Sequence, residues 1–288
     1  MRILVFTDND LDGAGSALFI KWLFKSKLSY LDIVETSETV FHNAFKEKEP
    51  VLDSFDKVFI LDLDLTEEQI KLVDRQGVVV IDHHTPHVTK KSLYQNAKVV
   101  VEEYSSCTKL LRDKFNTVEL TPAQEELLTY IDDYDCYKLE HKDSLKLNAI
   151  HHTLNRPKVN KFIDAFEDGF RPYNVYEKNS IKLFVQKFKE QLQNDVYIGN
   201  IKDYKVVSII SNYAISEVTH FIINKYQADI GIAVNIDTKT VSFRRCKDCT
   251  VDVSILAKTF CGGGGSAAAA GGNLTPDFAN LTKNFLPC

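Results

Sequence analysis

Along the first half of the chain, apolar residues come in short unbroken runs, and between the runs they recur at helical spacing. Ile3–Thr7, Leu31–Val34, Lys57–Leu61, Val78–Ile81 and Lys98–Val101 read as strands. Gly13–Lys25 reads as a helix with Leu18, Trp22 and Leu23 apolar, and a second helix follows Thr66, whose capping box Gln69 would complete. Unbroken apolar strands separated by helices predict a parallel sheet covered on both faces. Ligands of such sheets bind beyond the carboxyl ends of the strands. Three of these strands run straight into Asp or His.

Pro122–Tyr134 and Leu145–Leu154 read as helices. Tyr176–Asn194 reads as a Lys-rich amphipathic helix carrying Ile181, Phe184, Val185 and Phe188 on one face, and a domain boundary is expected in or around it. A strand at Val206–Ile210, a helix at Glu217–Tyr226, and strands at Ile230–Ile236 and Thr240–Arg244 follow. The last two form a hairpin if Thr238-Lys239 is their turn, and Val251–Phe260 reads as one more helix. No repeat of solenoid period is present, and the only low-complexity tract is Gly262–Gly272, followed by an ordered-looking tail.

The 288 residues are 44% hydrophobic and 26% charged, an ordinary globular balance. Lys plus Arg total 35 against 40 for Asp plus Glu, a net charge of −5. Proteins that coat long nucleic acid carry the opposite sign, so a nucleic-acid substrate would be short and bound locally. A nuclease is not excluded, because metal-binding carboxylates themselves push the charge negative. No apolar run approaches the ~20 residues of a membrane helix, and Met1–Phe6 meets Asp8 and Asp10 too soon for a signal peptide. Cys107, Cys136, Cys246, Cys249, Cys261 and Cys288 are scattered and read as mostly free thiols of a reducing cytosol, so the expected location is cytoplasmic. Cys246-x-x-Cys249 lacks two further ligands at conventional zinc spacing.

Candidate chemistry clusters where strands end. Asp8, Asp10 and Asp12 alternate directly after the first strand and precede Gly13. An EF-hand would need Glu where Phe19 stands, and a helix in place of the strand, so calcium of that kind is excluded. One Asp could cap the following helix; three carboxylates at one strand end repel each other and imply a cation. Asp62 and Asp64 follow the third strand, and Asp82-His83-His84 the fourth. Carboxylate with imidazole suits Mn²⁺, Fe²⁺ or Zn²⁺. Asp132, Asp133 and Asp135 end a helix where acidic residues oppose the macrodipole, so capping does not explain them. Such groups could assemble two adjacent metals, with Asp62 the natural bridge. The glycines from Gly262 onward could approach a phosphate closely but form no P-loop, and Arg244 and Arg245 supply guanidinium groups.

Together these residues resemble the DHH phosphoesterase superfamily, in its subgroup with a DHHA1-type C-terminal domain. The triplet is Asp82-His83-His84; the first motif matches Asp8–Gly13, the second Asp62, the fourth Asp133 or a close neighbour, and the Gly-rich motif Gly263–Gly271. The resemblance implies an α/β fold. A parallel-sheet DHH catalytic domain with helices on both faces spans 1–155, a helical linker 156–195, and a smaller α/β DHHA1-like substrate-binding domain 196–288. It also implies Asp8, Asp10, Asp12, Asp62, His83 and Asp133 as metal ligands. His84 would contact the scissile phosphate, Asp82 would orient a neighbouring imidazole, and Arg244, Gly263, Gly264, Gly265 and Ser266 would bind substrate. Ser266 stands where the family's motif has His; serine cannot carry charge at neutral pH.

The activity so implied is a Mn²⁺-dependent phosphodiesterase of the nanoRNase kind. It would hydrolyse short RNA or DNA oligonucleotides or dinucleotides through two ions that activate water, with Mg²⁺ or Co²⁺ as substitutes. Long nucleic acid and membranes are not expected partners, and a homodimer is left open. A polyphosphatase or nucleoside-bisphosphate phosphatase shares the same metal residues. A non-catalytic nucleotide sensor would lack a ligand, and each expected ligand has a counterpart. Phe243 and Tyr213 are candidates to stack on a base.

Overall fold

The computed structural model describes residues 1–275, so the thiol of Cys288 and the tail beyond 275 lie outside the described residues. The chain divides into two units, Met1–Ile181 and Lys182–Cys288. In the first, β1 (Arg2–Asp8), α1 (Leu11–Phe24), β2 (Tyr30–Thr36), α2 (Phe41–Lys48), β3 (Lys57–Leu61), α3 (Glu67–Val73), β4 (Val78–Asp82), α4 (Thr85–Val88) and β5 (Lys98–Val101) alternate. A run of helices follows: α5 (Cys107–Lys114), α6 (Pro122–Asp135), α7 (Lys142–Thr153), α8 (Lys158–Ala165) and α9 (Val175–Gln191), within which the unit boundary falls.

The five strands pair in parallel in the order β2-β1-β3-β4-β5. Their unbroken apolar runs serve two cores, since successive side chains point to opposite faces. Ile3, Val5, Phe59, Leu61, Val79 and Ile81 pack with α1 and α5–α8. Leu4, Phe6, Val58, Ile60, Val78 and Val80 pack with Phe41 and Phe45 of α2 and Ile70 and Val73 of α3. The helix α1 is buried along nearly its whole length and lacks a polar face. The capping box at Thr66 forms as the sequence predicts: its hydroxyl accepts the Gln69 N–H, and the Gln69 side chain accepts the Thr66 N–H. Residues 156–181 are not a separate linker, because Val159, Phe162 and Ile163 of α8 enter the α1 core.

The second unit holds β6 (Val196–Ile201), β7 (Tyr204–Ile210), α10 (Ile215–Tyr226), β8 (Ile230–Asn235), β9 (Thr240–Arg245), α11 (Val253–Cys261), β10 (Gly264–Gly265) and β11 (Ala269–Asn273). Its sheet runs β10-β11-β9-β8-β7-β6, and only β7 and β8 pair in parallel. Helix α10 packs on β7–β9, and α11 packs on β9 and β11 over Val206, Ile230, Ile232, Val241 and Phe243. The β8–β9 hairpin turns at 236–239, with Asn235 opposite Thr240. Among the described residues, no helix is long and apolar enough to cross a membrane.

Candidate metal centre

Three neighbouring strands, β1, β3 and β4, deliver acids to one edge of the parallel sheet. After β1 the chain turns at once into α1, and Gly13 makes that turn possible: a Cβ there would sit 2.2 Å from the Asp8 carbonyl oxygen. Asp8 Oδ1 accepts the Asn9 N–H at 2.6 Å. Asp10 caps α1, its Oδ1 accepting the Gly13 N–H at 2.8 Å. Asp12 is buried, and its two oxygens accept the N–H groups of Cys107 (2.7 Å) and Thr108 (2.9 Å) at the start of α5. A helix N-terminus suits that carboxylate.

Beyond β3, Asp62 adopts φ +57°, a left-handed conformation that Asp tolerates better than most residues. It is 2% exposed, and its Oδ1 has no hydrogen-bond partner. His83, after β4, donates from Nδ1 to the Tyr104 carbonyl oxygen at 3.2 Å. A carbonyl can only accept, so the neutral ring keeps its lone pair on Nε2. That Nε2 lies 3.3 Å from Asp62 Oδ1, 3.6 Å from Asp135 Oδ2 and 3.7 Å from Asp12 Oδ2.

The structure separates the acids at the end of α6. Asp133, the residue the resemblance selects, is not at the cluster. Its carboxylate accepts the N–H groups of Glu140 (3.0 Å) and His141 (3.1 Å) and the Ser144 hydroxyl (2.5 Å), which pins the loop into α7. Asp132 accepts the hydroxyls of Ser105 and Ser106. Asp135 is the one that faces His83. Consecutive helical residues point about 100° apart, so only one of three neighbours can reach a given point.

Asp82 is fully buried between two imidazoles, accepting from His84 Nδ1 and His87 Nδ1 at 2.7 Å each. His87 Nε2 lies 2.7 Å from the Tyr94 hydroxyl. Sequence reading missed His87 and Tyr94; a third His, three positions after the triplet, was the available signal for the first of them. Asp64 does not join the His83 cluster and receives Lys90 Nζ at 2.5 Å.

The electrostatics oppose keeping these acids ionised without a counter-charge. Burial and then Asp10 push Asp8 up to about 8. Burial followed by the charges of Asp12 and Asp10 raises Asp62 well above the carboxylate range, and burial followed by Asp12 does the same to Asp135. Burial alone would lower His84, but the hydrogen bond and charge of Asp82 outweigh it and lift the imidazole to about 10. Burial would raise Asp82, yet the bonds from His84 and His87 outweigh it and hold the carboxyl below its usual range. Asp133 goes the same way: burial is outweighed by Ser144 and the two N–H groups.

Donor atoms of Asp12, His83 and Asp135, and separately of Asp62, His83 and His84, lie within 4.8 Å of one another. Several carboxylates, one imidazole lone pair and an unpartnered Asp62 oxygen fit a divalent cation of the first transition row.

In the second unit the glycine tract is a tight hairpin. A Cβ on Gly263 would lie 1.9 Å from the Gly271 carbonyl oxygen, so backbone packing requires glycine there; at Gly264 a Cβ would meet nothing. Gly265 takes φ +135° and Ser266 forms the turn: its N–H donates to the Ala269 carbonyl, and its Oγ accepts the N–H groups of Ala268 and Ala269. Arg244 sits opposite Ala269 in β9 and donates to the Ser216 hydroxyl at 3.0 Å. Phe243 is fully buried in the sheet core and cannot stack on a base. Tyr213 packs against Phe184 and Lys187.

The family model for the DHH family N-terminal domain matches residues 2–132. This part of the chain belongs to the DHH family. No curated protein matches the chain by sequence. Among solved structures, the pGpG-specific phosphodiesterase PggH from Vibrio cholerae is similar at a TM-score of 0.61 and 16% identity, covering 98% of this chain and 96% of that one. RecJ in complex with Mn²⁺ from Thermus thermophilus is similar at 0.58 and 12%, covering 98% and 51%. An exopolyphosphatase-related protein from Bacteroides fragilis reaches 0.50 and 15%, covering 98% and 89%. At such identities the likeness speaks for the fold, and the DHH domain's own residues must carry the chemistry.

Proposed function

We propose that the chain is a Mn²⁺-dependent phosphodiesterase that hydrolyses short oligonucleotides or dinucleotides by two-metal activation of water. The observation that carries this reading is the convergence of Asp12, Asp62 and Asp135 on the Nε2 lone pair of His83, with one Asp62 oxygen buried and unpartnered. Asp8, Asp10, Asp12, Asp62, His83 and Asp135 would hold the ions. Bound there, divalent ions supply a lowered water pKa and neutralise charge on phosphoryl oxygens.

The chain's own residues do the rest. His84 has a side chain 39% exposed, and Asp82 fixes its Nδ1, which leaves Nε2 to donate to a non-bridging oxygen of the scissile phosphate. His87 and Tyr94 hold Asp82 from behind, so the imidazole is oriented before substrate arrives. Arg244, the Gly263–Gly265 backbone and Ser266 would bind a terminal nucleotide. Net charge favours a short substrate, as does the full-length likeness to a phosphodiesterase described as pGpG-specific.

The test is a Mn²⁺-supported panel of linear and cyclic dinucleotides, RNA of graded length, a nucleoside bisphosphate and polyphosphate. The highest kcat/KM is expected on the linear dinucleotide and the shortest RNAs, with a fall as length grows. Turnover confined to polyphosphate or bisphosphate would replace the phosphodiesterase with a phosphatase. Absence of turnover on every substrate, with Mn²⁺ bound, would leave a nucleotide sensor.

A further inference from the structure

The dithiol at the end of β9 lies outside the chemistry described above. Cys246 and Cys249 are both reduced and partly exposed. Their sulfurs and a carboxylate oxygen of Asp229 all lie within 4.8 Å of one another. We propose that Asp229, Cys246 and Cys249 form a second metal site, for Zn²⁺ or a similarly thiophilic divalent cation, which clamps the loop between β9 and α11.

Sequence spacing hides the third donor, because it comes from another strand. The β8–β9 pairing sets Ile230 opposite Arg245, so Asp229, one residue before β8, falls beside Cys246, one residue after β9. The backbone locks that juxtaposition: the Cys246 N–H donates to the Asp229 carbonyl at 2.8 Å. Asp229 Oδ2 accepts the Lys205 N–H at 2.7 Å, which orients the carboxylate. Cys249 folds back over Cys246, its N–H meeting the Cys246 carbonyl oxygen at 3.4 Å.

The dimensions suit zinc. Tetrahedral zinc with sulfur bonds of ~2.3 Å holds its sulfurs about 3.8 Å apart, so no donor in the cluster needs to move more than about 1 Å. Two thiolates select Zn²⁺ over Mn²⁺, so this site and the His83 cluster would take different ions from one mixture. Binding converts two thiols to thiolates and releases two protons to solvent. Three protein donors leave one position for water.

Cobalt separates this site from the carboxylate cluster, because only thiolate ligands give a sulfur-to-cobalt charge-transfer band. The reduced full-length chain carrying Asp62→Asn, which disables the first centre, is titrated with Co²⁺ and then with Zn²⁺. One equivalent of cobalt should produce the band, and Zn²⁺ should erase it. Cys246→Ser/Cys249→Ser should abolish the band. Asp229→Asn, which keeps both thiols, should keep the band but weaken cobalt affinity by at least about tenfold. Failure of the reduced protein to develop the band, or its survival in the double serine variant, overturns the proposal. So does loss of two thiols to a disulfide in air without metal uptake after reduction. None of these outcomes bears on the DHH centre, whose residues are different.

Discussion

Replacing Asp62 by asparagine should make the metal-free protein more stable while removing its response to Mn²⁺. The side chain is nearly isosteric, and asparagine shares with aspartate the tolerance of φ +57° found here. What changes is charge. The Asp62 carboxylate is 2% exposed, has one oxygen without a hydrogen-bond partner, and faces Asp10, Asp12 and Asp135. Leaving a buried polar group unsatisfied costs about 1–3 kcal/mol, more when charged, so Asp62→Asn should regain about 1–3 kcal/mol without metal. Wild type at a Mn²⁺ concentration about 100-fold above Kd should gain about 2.7 kcal/mol, and the variant should gain almost none. Asp62→Ala should fall about 1 kcal/mol below Asp62→Asn, since alanine bears the left-handed backbone cost that asparagine avoids. The chain's single tryptophan, Trp22, lies in α1, so urea unfolding followed by its fluorescence reports the first unit alone. Hydrolysis of the dinucleotide should drop by at least about a thousandfold in both variants. A metal-free Asp62→Asn protein less stable than wild type, or one stabilised by Mn²⁺ as strongly, would refute the reasoning.

Metal-free stability should fall as pH rises. Asp8 has its folded pKa raised from 3.8 to about 8, with Asp62 and Asp135 raised in the same sense, so the native state binds more protons than the unfolded chain from pH ~4 upward. His84, raised from 6.5 to about 10, adds a loss at higher pH, and the lowered Asp82 acts only below its ordinary 3.8. The Trp22 urea midpoint in chelator should therefore be higher at pH 5 than at pH 8, and Mn²⁺ should narrow the gap; a midpoint that rises with pH counts against the buried-acid argument. Asp133→Asn should cost about 2–3 kcal/mol, by weakening charge-assisted bonds to the α7 loop, yet keep Mn²⁺ binding in folded protein. Asp135→Asn should reverse that pattern, losing about 10–100-fold in Mn²⁺ affinity at no cost in stability; matching behaviour of the two variants would sink the reassignment. Ser266→His should reorder the substrate panel without altering Mn²⁺ affinity, and an unchanged ranking would show that this turn does not read substrate.

The elements legible in the sequence were those whose side chains face two cores. β1, β3 and β4 are unbroken apolar runs ending in Asp8, Asp62 and Asp82, and both the run and its abrupt acidic end are visible without a structure. By contrast β6 places Gly199 and Asn200 at the edge of its sheet, where no two-sided core demands apolar residues. β10 and β11 are built from glycine and alanine, poor strand formers, and exist because the backbones at Gly263 and Gly271 can touch. The choice between Asp133 and Asp135 turned on the phase of the last turn of α6, just before Tyr137 and Leu139 take left-handed backbone. A histidine three positions after the triplet is only a weak signal for His87; its meaning comes from Asp82, which needs a second donor once it is buried.

Stiffness at the mouth of α1 has a consequence for ion choice. Asp12 is tied through both oxygens to the first N–H groups of α5, Asp10 is spent in part on the cap, and the helix they open is buried along nearly its whole length. Calcium asks for six to eight oxygens at 2.3–2.6 Å, and accommodating it would mean prising that first turn away from its neighbour. Discrimination against the larger alkaline-earth ion would then reside in the rigidity of the surrounding scaffold, whatever affinity the oxygens themselves have for it.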